Sequence, residues 1–259
     1  MEVLFTPTEY SALQDRDLQG TTCVVFDILR ATSTMVTALA QGAESIIPVA
    51  EIAEAVALRR AHPEILLAGE RRGLRIGAEL TGDVDFDLGN SPREFTRERV
   101  AGKSIAMTTT NGTRALRACA RAGTLLIAAF VNLSSTADFI LKQRPERLML
   151  VCAGLGEEVS YEDILGAGAL CDLLQGDFSA DGMRDSFLTA LKLFRLEADD
   201  VAGAFAQSRN GQRLLSLPEL REDVIFCARR DIFPLVARMD RHGVIRRLCL
   251  KECKQRRCR

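Results

Sequence analysis

The fold is decided by residues 22–32, TCVVFDILRAT, where a short apolar run changes abruptly to polar residues. Residues 22–28 are rich in β-branched and aromatic side chains, which is typical of a strand in a largely parallel sheet. Residues 32–41 then place apolar side chains at three- and four-residue spacing, which predicts a helix. A strand followed directly by a helix is the repeating unit of α/β proteins.

The same alternation continues on both sides of this stretch. Further apolar runs predict strands at residues 2–5, 45–49, 65–68, 104–107, 124–128 and 148–152. Helical periodicity separates them at residues 52–61, 113–121 and 134–142. The pattern predicts an α/β fold with three layers, in which a largely parallel or mixed sheet is flanked by helices.

The C-terminal part of the chain has a different pattern. Residues 160–230 are helical in periodicity almost throughout, which predicts a helical annex. Residues 231–250 contain two apolar segments on either side of a turn, and we expect a hairpin that closes one edge of the sheet. Residues 251–259, KECKQRRCR, predict a frayed basic tail. Because no repeat or low-complexity linker interrupts the chain, we expect residues 1–259 to form a single domain.

Composition narrows the function classes. The chain is 47% hydrophobic and 27% charged, as expected for a globular protein. Its net charge of −1 gives no general attraction to nucleic acid or to a membrane surface. Neither a secretory signal nor an apolar run of membrane-spanning length is present. We therefore expect a cytoplasmic protein with neither nucleic acid nor membrane as partner, and a homodimer remains open.

Four predicted strands end in unusually polar stretches, at residues 27–32, 69–73, 108–114 and 154–163. Ligands of open α/β sheets bind at the carboxyl ends of the strands, where loops and helix N-termini meet. Four polar clusters at such positions predict a functional site there.

Residues 108–114, TTTNGTR, combine hydroxyl groups, an Asn-Gly pair and the start of a helix. Free backbone N–H groups and the positive end of a helix favour an anion at such a place, and Arg114 would add a cation. The alternative is an ordinary threonine cap preceded by a turn. The substrate-binding residues predicted here are Thr109, Thr110, Asn111, Gly112 and Thr113.

The other clusters supply carboxylates. Asp27 follows an apolar strand, where it would be a metal ligand, a nucleophile or simply a helix cap paired with Arg30. Glu70 would bind a hard cation, or would form a surface ion pair. Glu162 and Asp163 begin a helix, where acids also favour the helix dipole. Together, these four acids would complete an oxygen-only Mg²⁺ site.

Several strings, in order along the chain, resemble the 2-phosphosulfolactate phosphatase family. They are VVFDILRATSTMVTALAQGAESIIPV at 24–49, DLGNSPREF at 87–95, TTTNGTRAL at 108–116, VCAG at 151–154 and YEDILGAG at 161–168. The resemblance runs from about residue 22 to residue 169, weakens over the annex, and resumes loosely at 222–234. Several independent strings in order are far more specific than one motif.

The resemblance implies a magnesium-dependent phosphatase on an α/β fold. Its reaction would convert (2R)-phospho-3-sulfolactate into 3-sulfolactate and phosphate, a step of coenzyme M biosynthesis. At the matching positions we assign catalytic roles to Asp27, Arg30 and Arg114, substrate binding to Asn90, and binding of the carboxylate or sulfonate to Arg71 or Arg72.

Two other functions remain open at this stage. One is a phosphatase for another phosphorylated 2-hydroxy acid, and the other is a non-catalytic binder of anionic metabolites. Within the phosphatase class, Asp27 would either bind Mg²⁺ or form an aspartyl-phosphate. No Walker A string and no G-x-G-x-x-G after a strand is present, which disfavours a nucleotide-binding module.

Overall fold

The computed structural model describes residues 1–178 and 182–248. Within these ranges, ten strands form one mixed sheet flanked by helices, as in a three-layer α/β fold, and the predicted fold class is confirmed. The strands are β1 (Glu2–Leu4), β2 (Thr21–Phe26), β3 (Ser45–Pro48), β4 (Leu66–Arg71), β5 (Leu74–Arg75), β6 (Ser104–Thr108), β7 (Thr124–Ile127), β8 (Arg147–Cys152), β9 (Ala237–Met239) and β10 (Ile245–Arg247). The basic tail predicted at 251–259 lies outside the described residues.

The helices of the described residues include short pieces that the periodicity did not reveal. In chain order they are α1 (Pro7–Ser11), α2 (Ala31–Ala40), α3 (Ile52–Ala61), α4 (Ala78–Thr81), α5 (Arg97–Val100), α6 (Gly112–Ala118), α7 (Leu133–Gln143), α8 (Tyr161–Leu174), α9 (Asp185–Glu197), α10 (Val201–Gln207), α11 (Arg209–Leu215) and α12 (Arg221–Cys227). Helices α8 to α12 form the predicted helical annex, and α8 packs closely against α9. None of the helices found in the described ranges has the length and apolar character needed to cross a membrane.

The sheet contains two parallel blocks, one of β1, β8, β2 and β7 and the other of β3, β6 and β4. The predicted hairpin exists as β9 and β10, but its predicted place at a sheet edge is wrong. It lies between the blocks, where β9 pairs with β7 and β10 pairs with β3, both antiparallel. The hairpin supplies hydrogen-bond partners to the inner edge of each block, which would otherwise be unpaired.

This topology brings β2 and β6 towards a common site. Three antiparallel pairings separate them, so the two strands are opposed in nominal direction. Sheets twist by roughly 20–25° per strand pair, and five pairings lie between β2 and β6, so twist rotates them by roughly 100–125°. Their carboxyl ends therefore need not lie at opposite edges. Helix α6, which follows β6, contacts both β2 and α1.

Burial explains why β2 contains only uncharged residues, most of them apolar or β-branched. All six of its residues are buried, because the strand is central in its block and covered on both faces. The backbone N–H of Asp27, just past the strand, donates to the Thr32 hydroxyl at 3.1 Å. Helix α2 begins at Ala31, only four residues later, so the loop between strand and helix is short.

Candidate active site

A cavity of ≈ 300 Å³ lies where the loops after β2, β4 and β6 meet helix α11 of the annex. Eight residues predicted for the site line it, namely Asp27, Arg30, Glu70, Arg71, Asn90, Thr109, Thr110 and Asn111. The remaining predicted residues do not line it, namely Gly112, Thr113, Arg114, Glu162 and Asp163. The structure therefore brings most of the predicted site together at one place.

Asp27 is the central carboxylate of this cavity. It is 8% exposed, and its Oδ1 accepts a hydrogen bond from the Ala31 N–H at 3.2 Å. The backbone of Gly112 also hydrogen-bonds to it. Burial, followed by the negative charges of Glu70 and Glu162, raises the pKa of Asp27 from 3.8 to about 7. The alternative of a helix cap paired with Arg30 is wrong, because Arg30 is itself the N-cap residue of α2 and its ion pair in the described residues is with Asp223.

Gly112 is needed here for close approach. A Cβ on this residue would lie 2.7 Å from Oδ2 of Asp27 and 2.9 Å from the Cβ of Ala31. No side chain fits that space, so only glycine lets the start of α6 lie against the carboxylate.

Glu70 is held by the stretch that was predicted to form an anion cradle. Its Oε1 accepts from the N–H of Thr110 at 3.0 Å and from the Thr110 hydroxyl at 2.8 Å, and its Oε2 accepts from the N–H of Gly73 at 2.7 Å. Thr109 and Thr113 hydrogen-bond to each other through backbone and hydroxyl groups. The cradle thus already binds the protein's own carboxylates, and the buried Thr113 helps to hold its shape.

Asp163 lies behind the cavity and links two strand ends. It accepts from the N–H of Ile28 at 2.8 Å and from the N–H of Gly154 at 3.2 Å. Burial, then the charges of Asp27 and Glu162, raises its pKa well above the usual range. Glu162 is 1% exposed, and its Oε1 is buried without a hydrogen-bond partner. Such orphaned oxygens are rare and call for a ligand, a water or an ion.

Among the described residues, no group of three or more His, Cys, Asp and Glu side chains is arranged to hold a metal ion. The donor chemistry nevertheless fits Mg²⁺, since the oxygens are carboxylates and their mutual repulsion is what a cation would relieve. Three of the four predicted acids accept backbone N–H groups: Asp27 from Ala31 and Gly112, Glu70 from Thr110 and Gly73, and Asp163 from Ile28 and Gly154. Glu162 has an orphaned oxygen, and Asp27 combines a place in the cavity lining with a raised pKa that a cation would relieve. Asp27 and Glu162 are thus the two predicted ligands that fit a metal best.

Arg30 is a buried cation on the cavity wall. Its Nη1 donates to Oδ2 of Asp223 at 2.8 Å and its Nη2 donates to the carbonyl oxygen of Gly73 at 2.7 Å. Asp223 is fully buried, and its other oxygen accepts from the Ser91 hydroxyl and from Nε of Arg93. Sequence reasoning missed Asp223, although the family resemblance resumes at 222–234, where it lies.

The two other predicted arginines are placed differently. Arg71 lines the cavity, but its guanidinium donates to the Glu70 carbonyl oxygen and to the Thr108 hydroxyl. Arg114 lies outside the cavity, paired with Glu157 and 5.9 Å from the centre of the Tyr10 ring. Its position on α6 explains this outcome, because the buried face of that helix is formed by its neighbours. The expectation that Arg114 lies in the cavity is therefore corrected.

Over most of its length, the chain is similar to proteins that share one name. The family model for 2-phosphosulpholactate phosphatase matches residues 7–242. A probable 2-phosphosulfolactate phosphatase of Caldicellulosiruptor saccharolyticus is 37% identical over 237 residues, covering 90% of this chain and 95% of that protein. A relative of the same name from Caldanaerobacter subterraneus subsp. tengcongensis is 37% identical over 249 residues, covering 94% and 97%.

A third relative, from Synechococcus sp. strain RCC307, has the same name and is 39% identical over 229 residues, covering 86% of this chain and 91% of its own. The match thus includes the strand-end loops that line the cavity and the annex helices that close it. This chain belongs to the 2-phosphosulfolactate phosphatase family.

Proposed function

We propose that this chain is a Mg²⁺-dependent phosphatase that hydrolyses (2R)-phospho-3-sulfolactate to 3-sulfolactate and phosphate. The relatives named as probable 2-phosphosulfolactate phosphatases support this substrate. The observation that carries the proposal is the composition of the cavity, in which the buried carboxylate of Asp27 and the buried guanidinium of Arg30 line the same space. Phosphoryl transfer needs both a site for a cation and fixed positive charge.

Arg30 would neutralise charge on the phosphoryl oxygens. Two of its N–H groups are already fixed by Asp223 and by Gly73, so the guanidinium keeps one orientation in the cavity wall. A cation that is already oriented stabilises developing charge without having to reorganise during the reaction. Asn90 is 5% exposed, and its Oδ1 has no partner, so this side chain is free to contact the substrate.

Asp27 and Glu162 would hold Mg²⁺, with Glu70 and Asp163 around them. When bound, Mg²⁺ would act as a Lewis acid towards the phosphoryl group and the attacking water. The hydrogen bonds from the backbone at Ile28 and Gly154 keep Asp163 next to Asp27, and those from Thr110 do the same for Glu70.

The reaction is hydrolysis of the phosphate ester. In the direct route, the oxygen of water attacks phosphorus, the bond from phosphorus to the ester oxygen breaks, and the alcohol leaves with a proton. In the alternative within this class, the carboxylate of Asp27 attacks first and an acyl phosphate is hydrolysed in a second step. Rapid quenching of a single turnover with borohydride separates the two, because only the second route forms an acyl phosphate, which the reduction traps at Asp27.

The test is a panel of phosphorylated 2-hydroxy acids, assayed for phosphate release with Mg²⁺ and with EDTA. We expect release from phosphosulfolactate that depends on Mg²⁺ and is abolished by EDTA. Faster phosphate release from another member of the panel would assign a different substrate to the protein and leave its reaction class, phosphatase, unchanged. Binding of these anions without any phosphate release would favour a non-catalytic binder. The molar mass of the purified protein, measured by light scattering, would test whether it is a homodimer.

A further inference from the structure

Two arginines at the mouth of the cavity form no ion pair in the part of the chain that the structure describes. Arg72 and Arg213 both line the cavity and both are exposed. Within the described ranges, neither guanidinium has a hydrogen-bond or ion-pair partner. The other two arginines of the lining, Arg30 and Arg71, donate to protein acceptors. The mouth therefore carries two positive charges that are free to bind an anion.

The position of Arg72 is unusual for its residue type. Strands β4 and β5 are joined by Arg72 and Gly73 alone, with φ angles of 56° and 84°. Two successive positive φ angles define a mirror-image hairpin turn, in which Asn-Gly or Asp-Gly is strongly preferred. An arginine pays a steric cost in this region of backbone space. The turn itself gives no reason for an arginine at this position, whereas a need for positive charge at the cavity mouth does.

Arg213 reaches the same turn from the annex. A Cβ on Gly73 would lie 2.8 Å from Nη2 of Arg213, so the guanidinium lies directly against the glycine backbone. Asn210, three residues earlier on helix α11, donates to the carbonyl oxygen of Leu29 at 3.0 Å. Residues three apart share a helix face, so one face of α11 both attaches to the loop after β2 and presents the cation.

We infer that Arg72 and Arg213 form a second anion subsite that binds the sulfonate of the substrate. The inference rests on the proposed function, whose substrate carries a phosphate, a carboxylate and a sulfonate. Arg30 and the carboxylate cluster serve the phosphoryl group, which leaves the other anions to be balanced. Guanidinium groups bind such oxyanions through paired N–H donors, which a single ammonium does not reproduce. The subsite would select for phosphorylated hydroxy acids with a second strong acid group.

The test is calorimetric titration with 3-sulfolactate and with lactate, which lacks the sulfonate. The variants are Arg213→Met, Arg72→Met and Arg213→Lys, each checked for an unchanged thermal unfolding midpoint. The control is Arg209→Met, since Arg209 lies on the same helix, pairs with Glu158 and does not line the cavity. We expect each Met variant to bind 3-sulfolactate about tenfold more weakly. The Lys variant should recover part of the loss, and the control should match the wild type.

Kinetics then separate the subsite from the reaction itself. In Arg213→Met, KM for phosphosulfolactate should rise about tenfold with kcat nearly unchanged, while KM for phospholactate stays the same. Equal losses on both substrates, or unchanged 3-sulfolactate binding in both Met variants, would overturn the inference, as would a wild type that does not bind 3-sulfolactate. A wild type that binds it through these arginines but releases no phosphate would support the subsite and refute only the proposed function.

Discussion

Replacing Asp27 by asparagine should make the protein more stable at pH 8 while removing its activity. The carboxyl group is buried beside two other acids, and its pKa is raised from 3.8 to about 7. Asparagine has nearly the same shape, and its side-chain oxygen still accepts the hydrogen bond from Ala31, whereas its amide nitrogen cannot accept the one from Gly112. The substitution therefore removes an unfavourable buried charge that is larger than the lost hydrogen bond, and the cost of that bond is the same at both pH values.

The magnitude follows from the raised pKa of Asp27. The folded protein holds this proton more tightly than the unfolded chain, so stability falls as pH rises from about 4 to about 7. A shift of about 3 units corresponds to about 4 kcal/mol at most, since each unit is worth about 1.4 kcal/mol. At pH 8 the whole penalty is present, and at pH 5 most of it is absent because the group is protonated. The gain from Asp27→Asn should thus be about 2–3 kcal/mol larger at pH 8 than at pH 5.

Urea unfolding at both pH values, in the presence of EDTA, measures this difference. Glu157→Gln is the matched control, because it removes a carboxylate from the exposed pair with Arg114 and should behave alike at both pH values. Added Mg²⁺ should stabilise the wild type at pH 8 and have little effect on Asp27→Asn. The reasoning would be refuted by a gain that is equal at pH 5 and pH 8, or by a variant that is less stable than the wild type at pH 8.

Three further substitutions test other contacts of the site. Asp223→Asn should cost about 3–5 kcal/mol in urea unfolding, because it leaves the buried Arg30 without its counter-charge; a loss under 1 kcal/mol would contradict this. Gly112→Ala should cost about 1–3 kcal/mol and lower turnover, since the new Cβ displaces Asp27; full activity would show that Asp27 tolerates movement. Arg72→Asn should raise stability by up to about 1 kcal/mol while weakening 3-sulfolactate binding, and a decrease in thermal midpoint would count against the strained turn.

The sequence predicted the part of the site that belongs to the strand ends. Asp27 and Thr110 each follow a recognisable strand within two residues, and Glu70 lies in the last residues of one; ligands bind at such strand ends. Local pattern is enough to find them, because the strand and the loop after it are adjacent in the chain. The contact of Glu70 with Thr110 follows from the parallel pairing of β4 and β6, whereas their approach to Asp27 depends on the hairpin and the twist between the two blocks.

The part contributed by the annex could not be predicted in the same way. Helical periodicity shows which face of a helix is buried, but it does not show which loop that face contacts. Arg213 lines the cavity next to Gly73, and Asp223 holds Arg30 at the cavity wall; each of these two contacts joins residues that are 140 or more positions apart in the chain. Arg213 has nothing in its local sequence that distinguishes it from an ordinary surface arginine.

The position of the central hairpin was mispredicted for a related reason. A short alternating strand has the same pattern at an edge and in the middle of a sheet, and the choice depends on which other strands lack a partner. Ile245 of the hairpin pairs with Ile46 of β3, a contact between residues about 200 positions apart in the chain. Arg114 was misplaced because its side-chain direction depends on the rotation of α6, which is set by packing against Asp27 and Ala31.

Phosphate release from phosphosulfolactate by Asp27→Asn, compared with the wild type at saturating Mg²⁺, is the most direct test of the site. If a buried carboxylate at the end of β2 holds the reacting group and its cation in the cavity, the variant should lose at least about a thousandfold in kcat while remaining folded. A folded Asp27→Asn protein that retains activity within tenfold of the wild type would contradict the account.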